Sequence, residues 1–300
     1  MTTRHFVPGD DAQLAVFETG DPAGETIVLL HGWPDSHLLW DRVVPLLADR
    51  YRVLAVDNRG AGASSAPRDV DAYRIEYLAA DVFAVIDALS PGRPVHLLGH
   101  DWGSVVGWKV VGQPHAPEWI ASFTSVSGPN LDQLGARLRR SVSRPTPRNL
   151  STVGEQAIAS WYTYLFQVPG LPTPALRQLA RHWPRFLSVF DGIDPAIVRP
   201  APTLTEDMLT GVKLYRANIR QRLFRPDPAP VTVPVQLILS RGDRAVRPGV
   251  YADAEQWVRQ LRRREIDARH WSPISHPDDL ARLTAEFIGD VAVTPAVSES

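Results

Sequence analysis

The chain has 300 residues, of which 44% are hydrophobic and 22% charged, and it contains no cysteine. This length allows one large domain or two domains of about 100–200 residues each. Nine Trp, nine Phe and seven Tyr supply ample apolar surface for a core, which excludes a disordered chain. The lack of cysteine excludes a disulfide scaffold, a thiolate metal site and a cysteine nucleophile. The net charge of −1 argues against general affinity for nucleic acid or anionic membranes.

The sequence shows neither a targeting signal nor a membrane-spanning segment. Residues 1–5 lack the apolar stretch of a signal peptide. No apolar run approaches the roughly 18 residues that a transmembrane helix needs. We therefore expect a cytoplasmic protein without a membrane span.

The first part of the chain alternates short apolar runs with helical patterns. Its predicted elements, in chain order, are a weakly alternating strand at Gln13–Phe17, strands at Thr26–Leu30 and Tyr51–Val56, a helix at Ile75–Leu89, a strand at Val95–Leu98, a helix from near Trp102 and a strand at Ile120–Val126. Continuous apolar strands separated by helices are typical of a parallel sheet that is covered on both faces.

The pattern changes in the middle of the chain. Residues 131–230 have no clean strand, but they contain several helical windows rich in Trp, Tyr and Phe. Sheet character returns at Val235–Leu239, and a helix is predicted around Tyr251–Leu261. A short strand near Glu265–Ala268 and a closing helix at Pro277–Ile288 follow.

These patterns predict one interrupted domain and not two consecutive ones. Residues 1–130 and 231–290 form the two parts of an α/β core, and residues 131–230 form a helical cap inserted between them. Residues 291–300 are rich in Ala, Val, Thr, Pro and Ser, which is typical of a tail or linker.

A first candidate for chemistry lies at the end of the strand Val95–Leu98. The sequence of Gly99–Gly103 is Gly-His-Asp-Trp-Gly, the form of a nucleophile elbow with Asp101 at the nucleophile position. A carboxylate at a helix N-terminus is kept ionised by the helix dipole, so it needs no base before it attacks a saturated carbon. The alternative interpretation is that Asp101 only caps the following helix.

A loop after an earlier strand supports the catalytic interpretation. The sequence His-Gly-Trp-Pro occupies His31–Pro34, where a loop amide is expected to help form an oxyanion hole. We predict that the amides of Trp33 and Trp102 form this hole. The Trp33–Pro34 bond is a candidate cis peptide.

Two further residues complete a catalytic order. Asp243 follows the strand Val235–Leu239, and His270 follows the last short strand. The chain order Asp101, Asp243, His270 is the order nucleophile, acid, base of the α/β-hydrolase fold.

Over nearly its whole length the chain resembles α/β-hydrolases of the epoxide hydrolase family. The segments His31–Ser36, Asp57–Ser64 and Gly99–Ser104 are similar to three consensus blocks of that family. The resemblance implies an α/β-hydrolase fold, with a mostly parallel central sheet flanked by helices and an inserted helical cap. It also implies hydrolysis of an epoxide to a vicinal diol through an ester on Asp101, without a cofactor.

The cap carries two candidate tyrosines. Tyr162–Gly170 resembles the family block that bears the first epoxide-polarising tyrosine, which places that role on Tyr162. Leu214–Asn218 resembles the block of the second, which places it on Tyr215, with Tyr164 in reserve. The alternative for each is an aromatic residue of the cap core.

The histidine block departs from the family pattern. The family's catalytic histidine is usually preceded by Gly and followed at fixed spacing by an acid and then Pro. Here Arg269 precedes the histidine and Ser275 stands at the place of the acid. The spacing to Pro277 selects His270 as the base, whereas His276 is expected to be a residue at a helix N-terminus.

Two other functions remain open from the sequence. A haloalkane dehalogenase would share the nucleophile and the histidine, but it needs indole or amide N–H donors for a halide where two tyrosines stand here. The indole N–H groups of Trp33 and Trp102 could supply part of this donor set. The second alternative is a catalytically silent ligand-binding module with a hydrolase fold.

The expected partners are few. We expect a small apolar epoxide, lipid-like in character, as substrate, no nucleic acid, no cofactor and no metal; a homodimer is left open. Ser125–Pro129 and His270–Pro277 resemble a subgroup in which this hydrolase precedes a short-chain dehydrogenase domain, so a longer chain could carry a C-terminal dehydrogenase. The sequence has no complete Gly-x-Gly-x-x-Gly dinucleotide motif, so we expect no NAD site in these residues.

Overall fold

A computed structural model describes residues 1–144, 146, 154 and 161–293. Within these residues one sheet has eight strands in the order β1-β2-β4-β3-β5-β6-β7-β8. The strands are β1 (Thr3–Pro8), β2 (Gln13–Thr19), β3 (Thr26–Leu30), β4 (Arg52–Val56), β5 (Val95–His100), β6 (Ile120–Val126), β7 (Val235–Ser240) and β8 (Leu261–Ile266).

The sheet is mostly parallel. β1 pairs with β2 and β2 with β4 in antiparallel fashion, and all neighbouring pairs from β4 to β8 are parallel. Every residue of the central strands β3 and β5 is buried, because helices cover both faces of the sheet. The predicted α/β-hydrolase fold, with a mostly parallel sheet flanked by helices, is confirmed.

The helices alternate with the parallel strands. In chain order they are α1 (Val44–Leu47), α2 (Ile75–Leu89), α3 (Trp102–Val111), α4 (Ala116–Trp119), α5 (Leu131–Ser143), α6 (Trp161–Phe166), α7 (Thr173–Arg181), α8 (Trp183–Asp191), α9 (Leu204–Phe224), α10 (Ser272–Ser275) and α11 (Pro277–Val293). α3 packs on β5 and α2, and α11 packs on α1 and β6. α11 extends into the predicted tail as far as Val293, and residues 294–300 lie outside the described part of the chain.

One predicted helix is wrong. The segment predicted as a helix over Tyr251–Leu261 contains two short 3₁₀ turns, Pro248–Tyr251 and Ala254–Gln256, and then enters β8. The strand predicted near Glu265–Ala268 therefore begins earlier, at Leu261.

The physical reason is the position of β8 at the edge of the sheet. It pairs only with β7, and most of its side chains are partly or fully exposed. Charged side chains are well tolerated on an edge strand, so the run Arg262–Glu265 lacks the apolar alternation that marks a strand. The strand β1, at the opposite edge, was not predicted for the same reason.

Helices α5–α9 lie between β6 and β7, and we call their described residues, 131–144 and 161–224, the helical region. The long helix α9 packs on α5, α6 and α7. Asn218 of α9 accepts a hydrogen bond from the Ile75 amide at 2.8 Å and donates one to the Tyr73 carbonyl at 2.8 Å. These bonds tie the helical region to α2 of the core. Among the described residues, no helix is both long and apolar enough to span a membrane.

Candidate active site

The turn between β5 and α3 presents Asp101 in a conformation that few residues adopt. Its backbone has φ 50° and ψ −120°, and its amide donates to the Val126 carbonyl at 3.0 Å. Two glycines make this turn possible. A Cβ on Gly103 would lie 2.0 Å from the Leu30 carbonyl oxygen, and one on Gly128 would lie 2.1 Å from the Asp101 carbonyl oxygen. The strand ends therefore approach this turn as closely as backbones allow.

We expect the Gly103→Ala variant to lower the free energy of unfolding by about 1–3 kcal/mol, because the new methyl group overlaps the backbone of β3. Urea unfolding followed by circular dichroism measures the loss. Gly289→Ala is the matched control, since a Cβ at this exposed helical position meets nothing within 4 Å. Equal stability of the Gly103→Ala variant and the control would show that the turn has room to relax.

The two oxygens of the Asp101 carboxylate have different surroundings. Oδ1 accepts a hydrogen bond from the Trp33 amide at 2.8 Å, and Oδ2 lies 3.7 Å from His270 Nε2. Burial raises the pKa of Asp101, while the His270 charge and the amides of Trp33 and Trp102 oppose that rise. The structure thus places both predicted oxyanion-hole amides at the Asp101 carboxylate. The Trp33–Pro34 bond is cis, as predicted.

His270 and Asp243 form a buried pair. His270 Nδ1 lies 3.0 Å from Asp243 Oδ2, while Asp243 Oδ1 accepts hydrogen bonds from the amides of Ala245 and Val246, both at 2.8 Å. Burial alone would lower the pKa of His270, but the charges of Asp243 and Asp101 outweigh it and raise the pKa to about 9. Burial likewise opposes ionisation of Asp243, yet His270 and the amide donors hold its pKa below the ordinary value.

The helical region brings both candidate tyrosines close to Asp101. Tyr162 of α6 and Tyr215 of α9 have ring centroids 6.0 Å apart. The Tyr215 ring also packs edge-to-face on Trp102 at 5.0 Å and on Trp33 at 5.7 Å. Burial and the charge of Asp101 raise the pKa of both tyrosines, so their hydroxyls stay protonated. Both can therefore act as hydrogen-bond donors.

Two cavities meet at these residues, with volumes of about 470 and 170 Å³. Both are lined by Asp101, Tyr162, Tyr215 and Ala245. The remaining lining of the larger cavity is mainly apolar: Trp33, Leu165, Phe166, Leu171, Pro172, Ala175, Leu176, Leu179, Phe186, Phe190, His270 and Trp271. Such walls suit an apolar ligand held next to a few polar groups.

The structure distinguishes His270 from His276, and Tyr164 from the other two candidate tyrosines. His270 faces Asp101, whereas His276 Nδ1 lies 2.9 Å from the neighbouring Ser275 hydroxyl. Tyr164 is 60% exposed and lines only the smaller cavity of the two. Among the described residues, no group of three or more His, Asp or Glu side chains is arranged to hold a metal ion.

Two carboxylates near the histidine were not predicted. Asp191, the last residue of α8, accepts hydrogen bonds from the amides of His270 at 3.0 Å and Trp271 at 2.7 Å. Asp35 accepts one from the Trp271 indole N–H at 3.0 Å. Asp35 lies within the motif His31–Ser36, which could have drawn attention to it. Asp191 belongs to no recognisable motif.

Residues 25–277 match the family model described as the alpha/beta hydrolase fold. The chain belongs to the α/β-hydrolase fold family. The match spans the Trp33 loop, the Asp101 turn, the helical region, Asp243 and His270, so every candidate site residue lies inside it.

Curated relatives extend the comparison. "Probable oxidoreductase EphD" of Mycobacterium tuberculosis is 42% identical over 284 residues, which cover 93% of this chain and 48% of that protein. "Bifunctional epoxide hydrolase 2" of Sus scrofa is 25% identical over 315 residues, covering 92% of this chain and 53% of that protein. The chain thus spans about half the length of these two relatives.

A solved structure shares the fold. A variant of an epoxide hydrolase from Bacillus megaterium, complexed with its product, superposes with a TM-score of 0.76 at 21% identity, covering 95% of this chain and all of that one (100%). Together these comparisons confirm the resemblance to α/β-hydrolases of the epoxide hydrolase family.

Proposed function

We propose that this protein hydrolyses an epoxide to a vicinal diol through a covalent ester on Asp101. One observation carries the proposal: Asp101 and two protonated tyrosines line the same apolar cavity, with His270 beside the carboxylate. The carboxylate supplies a nucleophile, and the tyrosines supply the acid that an epoxide oxygen needs as it leaves carbon.

In the first half-reaction, Asp101 Oδ2 attacks one epoxide carbon, and the bond from that carbon to the epoxide oxygen breaks. Tyr162 and Tyr215 hydrogen-bond the oxygen, and one of them transfers its proton to it. The product is a hydroxyalkyl ester of Asp101 and a tyrosinate. Oδ1 becomes the carbonyl oxygen of the ester and remains at the amides of Trp33 and Trp102.

In the second half-reaction, His270 Nε2 takes a proton from water, and the resulting hydroxide attacks the carbonyl carbon of the ester. The negative charge on Oδ1 is stabilised by the Trp33 and Trp102 amides, each worth roughly 3 kcal/mol in comparable sites. When the intermediate collapses, Oδ2 leaves with the diol and takes the proton held by His270, and the proton of the added hydroxyl passes to the tyrosinate, which restores the Asp101 carboxylate. The water oxygen remains on the Asp101 carboxylate.

We further propose that residues 131–230 act as the cap of this site, and that the substrate is apolar and lipid-like. Within the helical region, α6–α9 contribute both tyrosines and most of the apolar wall of the larger cavity. Enclosure by these helices would keep bulk water from the tyrosine–epoxide hydrogen bonds, which strengthens them.

The names of relatives support a hydrolase more than an oxidoreductase. The pig relative is named an epoxide hydrolase, and so is the Bacillus megaterium protein of similar fold. The oxidoreductase name belongs to EphD, of which this chain matches 48%. The reaction proposed here rests on residues of this chain alone.

The indole groups favour an epoxide hydrolase over a haloalkane dehalogenase. The Trp33 indole N–H donates to the Met208 carbonyl at 3.0 Å, and that of Trp102 is directed toward the Tyr215 hydroxyl. A halide cradle needs such donors to face the leaving group. Measuring diol formation beside chloride or bromide release compares the two functions directly.

Single turnover in ¹⁸O-labelled water tests the proposed mechanism. With enzyme in excess over an apolar epoxide, we expect the first diol to be unlabelled and the label to enter Asp101, as read by peptide mass spectrometry. Immediate label in the diol would overturn the covalent route. A wild-type protein that binds apolar epoxides but forms no diol would instead support the silent binding module.

Replacing Tyr162 or Tyr215 by Phe is expected to slow ring opening by about 10²-fold or more, because each substitution removes a proton donor to the epoxide oxygen. Pre-steady-state measurement of ester formation reports this step separately from ester hydrolysis. Tyr77→Phe is the control, since Tyr77 lies on α2, outside the residues that line the two cavities. If ring opening slowed more in Tyr164→Phe than in either Tyr162→Phe or Tyr215→Phe, the proton donor would instead be Tyr164.

A further inference from the structure

The last residues of helix α8 bind the segment Arg269–Trp271, which we call the histidine loop. Asp191 is 7% exposed, and its two oxygens accept the consecutive amides of His270 (Oδ1, 3.0 Å) and Trp271 (Oδ2, 2.7 Å). Arg269 Nη1 adds a hydrogen bond to the Phe190 carbonyl at 3.2 Å. Three consecutive residues of the histidine loop are therefore bound by the last two residues of one helix.

We propose that Asp191 is a positioning residue for the second half-reaction. Through Asp191, the packing of the helical region against the core sets the position of the catalytic base, His270. This inference rests on the proposed function. A carboxylate that binds two successive amides fixes the two peptide planes on either side of the His270 Cα, and so the direction in which the His270 side chain leaves the backbone. His270 Nε2 must activate a water at the ester, and a displacement of about 1 Å can reduce a rate 10²-fold.

The same helix forms part of the cavity wall. Phe186 and Phe190 of α8 line the larger cavity together with Trp271. Trp183 packs edge-to-face on Trp271 with ring centroids 5.3 Å apart. A ligand that presses on this wall therefore acts on the element that holds the base. Ester hydrolysis would then be fastest when α8 is packed in the position that holds the histidine loop.

The charge of Asp191 adds to its geometric role. The guanidinium of Arg269 lies beside Gly192 at the same helix end, where it donates to the Phe190 carbonyl. Burial raises the pKa of Asp191, opposed by the Trp271 and His270 amides and by the charge of His270. When ionised, Asp191 joins the carboxylates that favour the imidazolium form of His270.

Other charged groups also face this histidine. Asp243 and Asp101 flank the two ring nitrogens, and His100 lies behind the ring with centroids 5.0 Å apart. Burial lowers the pKa of His100 to about 3, so it is neutral. Asp35, whose pKa burial raises to about 7, bonds to the neighbouring Trp271. Asp191 differs from all of these because it is the one that α8 contributes.

The test compares the wild-type protein with Asp191→Asn, which keeps the shape of the side chain but removes its charge and one acceptor. We expect the pKa of His270, read from imidazole ¹⁵N shifts, to fall by about one unit. At high pH, where His270 is neutral in both proteins, we expect ester hydrolysis to slow by about tenfold or more, with ester formation changed by less than about threefold. Asp194→Asn, at an exposed turn residue three positions later, should change none of these.

An unchanged pKa together with equal slowing of both steps would overturn the proposal, because it would indicate only general destabilisation. If Asp191→Asn does not fold, Asp191→Glu takes its place: the charge is kept, so the pKa stays high while the displaced loop slows ester hydrolysis. Wild-type ester hydrolysis in that variant would contradict a positioning role. The NMR titration needs no epoxide, so it separates a failure of this proposal from a failure of the proposed function.

Discussion

The Asp101→Asn variant is expected to lose diol formation by about 10⁴-fold or more, because an uncharged amide is not a nucleophile towards an epoxide carbon. Neither Asp243 nor the two tyrosines can replace the Asp101 carboxylate as nucleophile. Asp243 has its two oxygens committed to His270 and to the amides of Ala245 and Val246. The tyrosines can polarise an epoxide but cannot form the ester. The measurement is diol formation with enzyme in excess, combined with intact-protein mass.

The variant set should include Asp101→Ala and Asp87→Asn. The first removes the carboxylate outright and cannot be returned to Asp by hydrolysis of an amide, a reaction that a water activated by His270 could catalyse. The second changes an exposed acid on α2 and should keep full activity. Diol formation by the Asp101→Ala variant at more than a small fraction of the wild-type rate would assign the nucleophile to water or to another residue.

The sequence allowed prediction of those site residues that sit where a strand ends in a short motif. Asp101, Asp243 and His270 each follow a strand of the parallel sheet, and the carboxyl ends of parallel strands meet at one edge. The structure brings these side chains together: His270 lies 3.0 Å from Asp243 Oδ2 and 3.7 Å from Asp101 Oδ2. The closeness of these three side chains was predictable because the arrangement of the parallel strands brings them together, whatever the packing of individual side chains.

The rest depends on contacts that no local pattern encodes. Asp191 meets His270 across 79 positions of sequence, and only the packing of α8 on the histidine loop brings them together. The packing of α8 also brings the Arg269 guanidinium to the Phe190 carbonyl, at 3.2 Å. Similarly, the position of β8 at the edge of the sheet, and not its apolar content, makes it a strand.

The His270→Gln variant is expected to form the Asp101 ester and then to hydrolyse it about 10²–10⁴-fold more slowly, because glutamine cannot take a proton from water. Ester formation should continue, since it needs only Asp101 and the tyrosines. Intact mass should rise by the mass of one epoxide per chain. His276→Gln is the matched control, because His276 bonds to Ser275 and lies outside the residues that line the two cavities. An adduct in that variant alone would place the base at His276.

The pH dependence of ester hydrolysis follows from the charges around His270. In the free protein its pKa is about 9, raised by Asp243 and Asp101 against the effect of burial. Only the neutral imidazole can act as a base, so a pKa of 9 would leave about 1% of it active at pH 7.

Formation of the ester, however, removes the charge of Asp101. One of the groups that raised the pKa is then gone, while Asp243 still orients the ring. We therefore expect the rate of ester hydrolysis in wild type to rise with pH and to level off at a pH below 9. Stopped-flow measurement of hydrolysis on pre-formed ester gives this inflection directly, and an inflection at or above the pKa of the free protein would show that Asp101 does not influence His270.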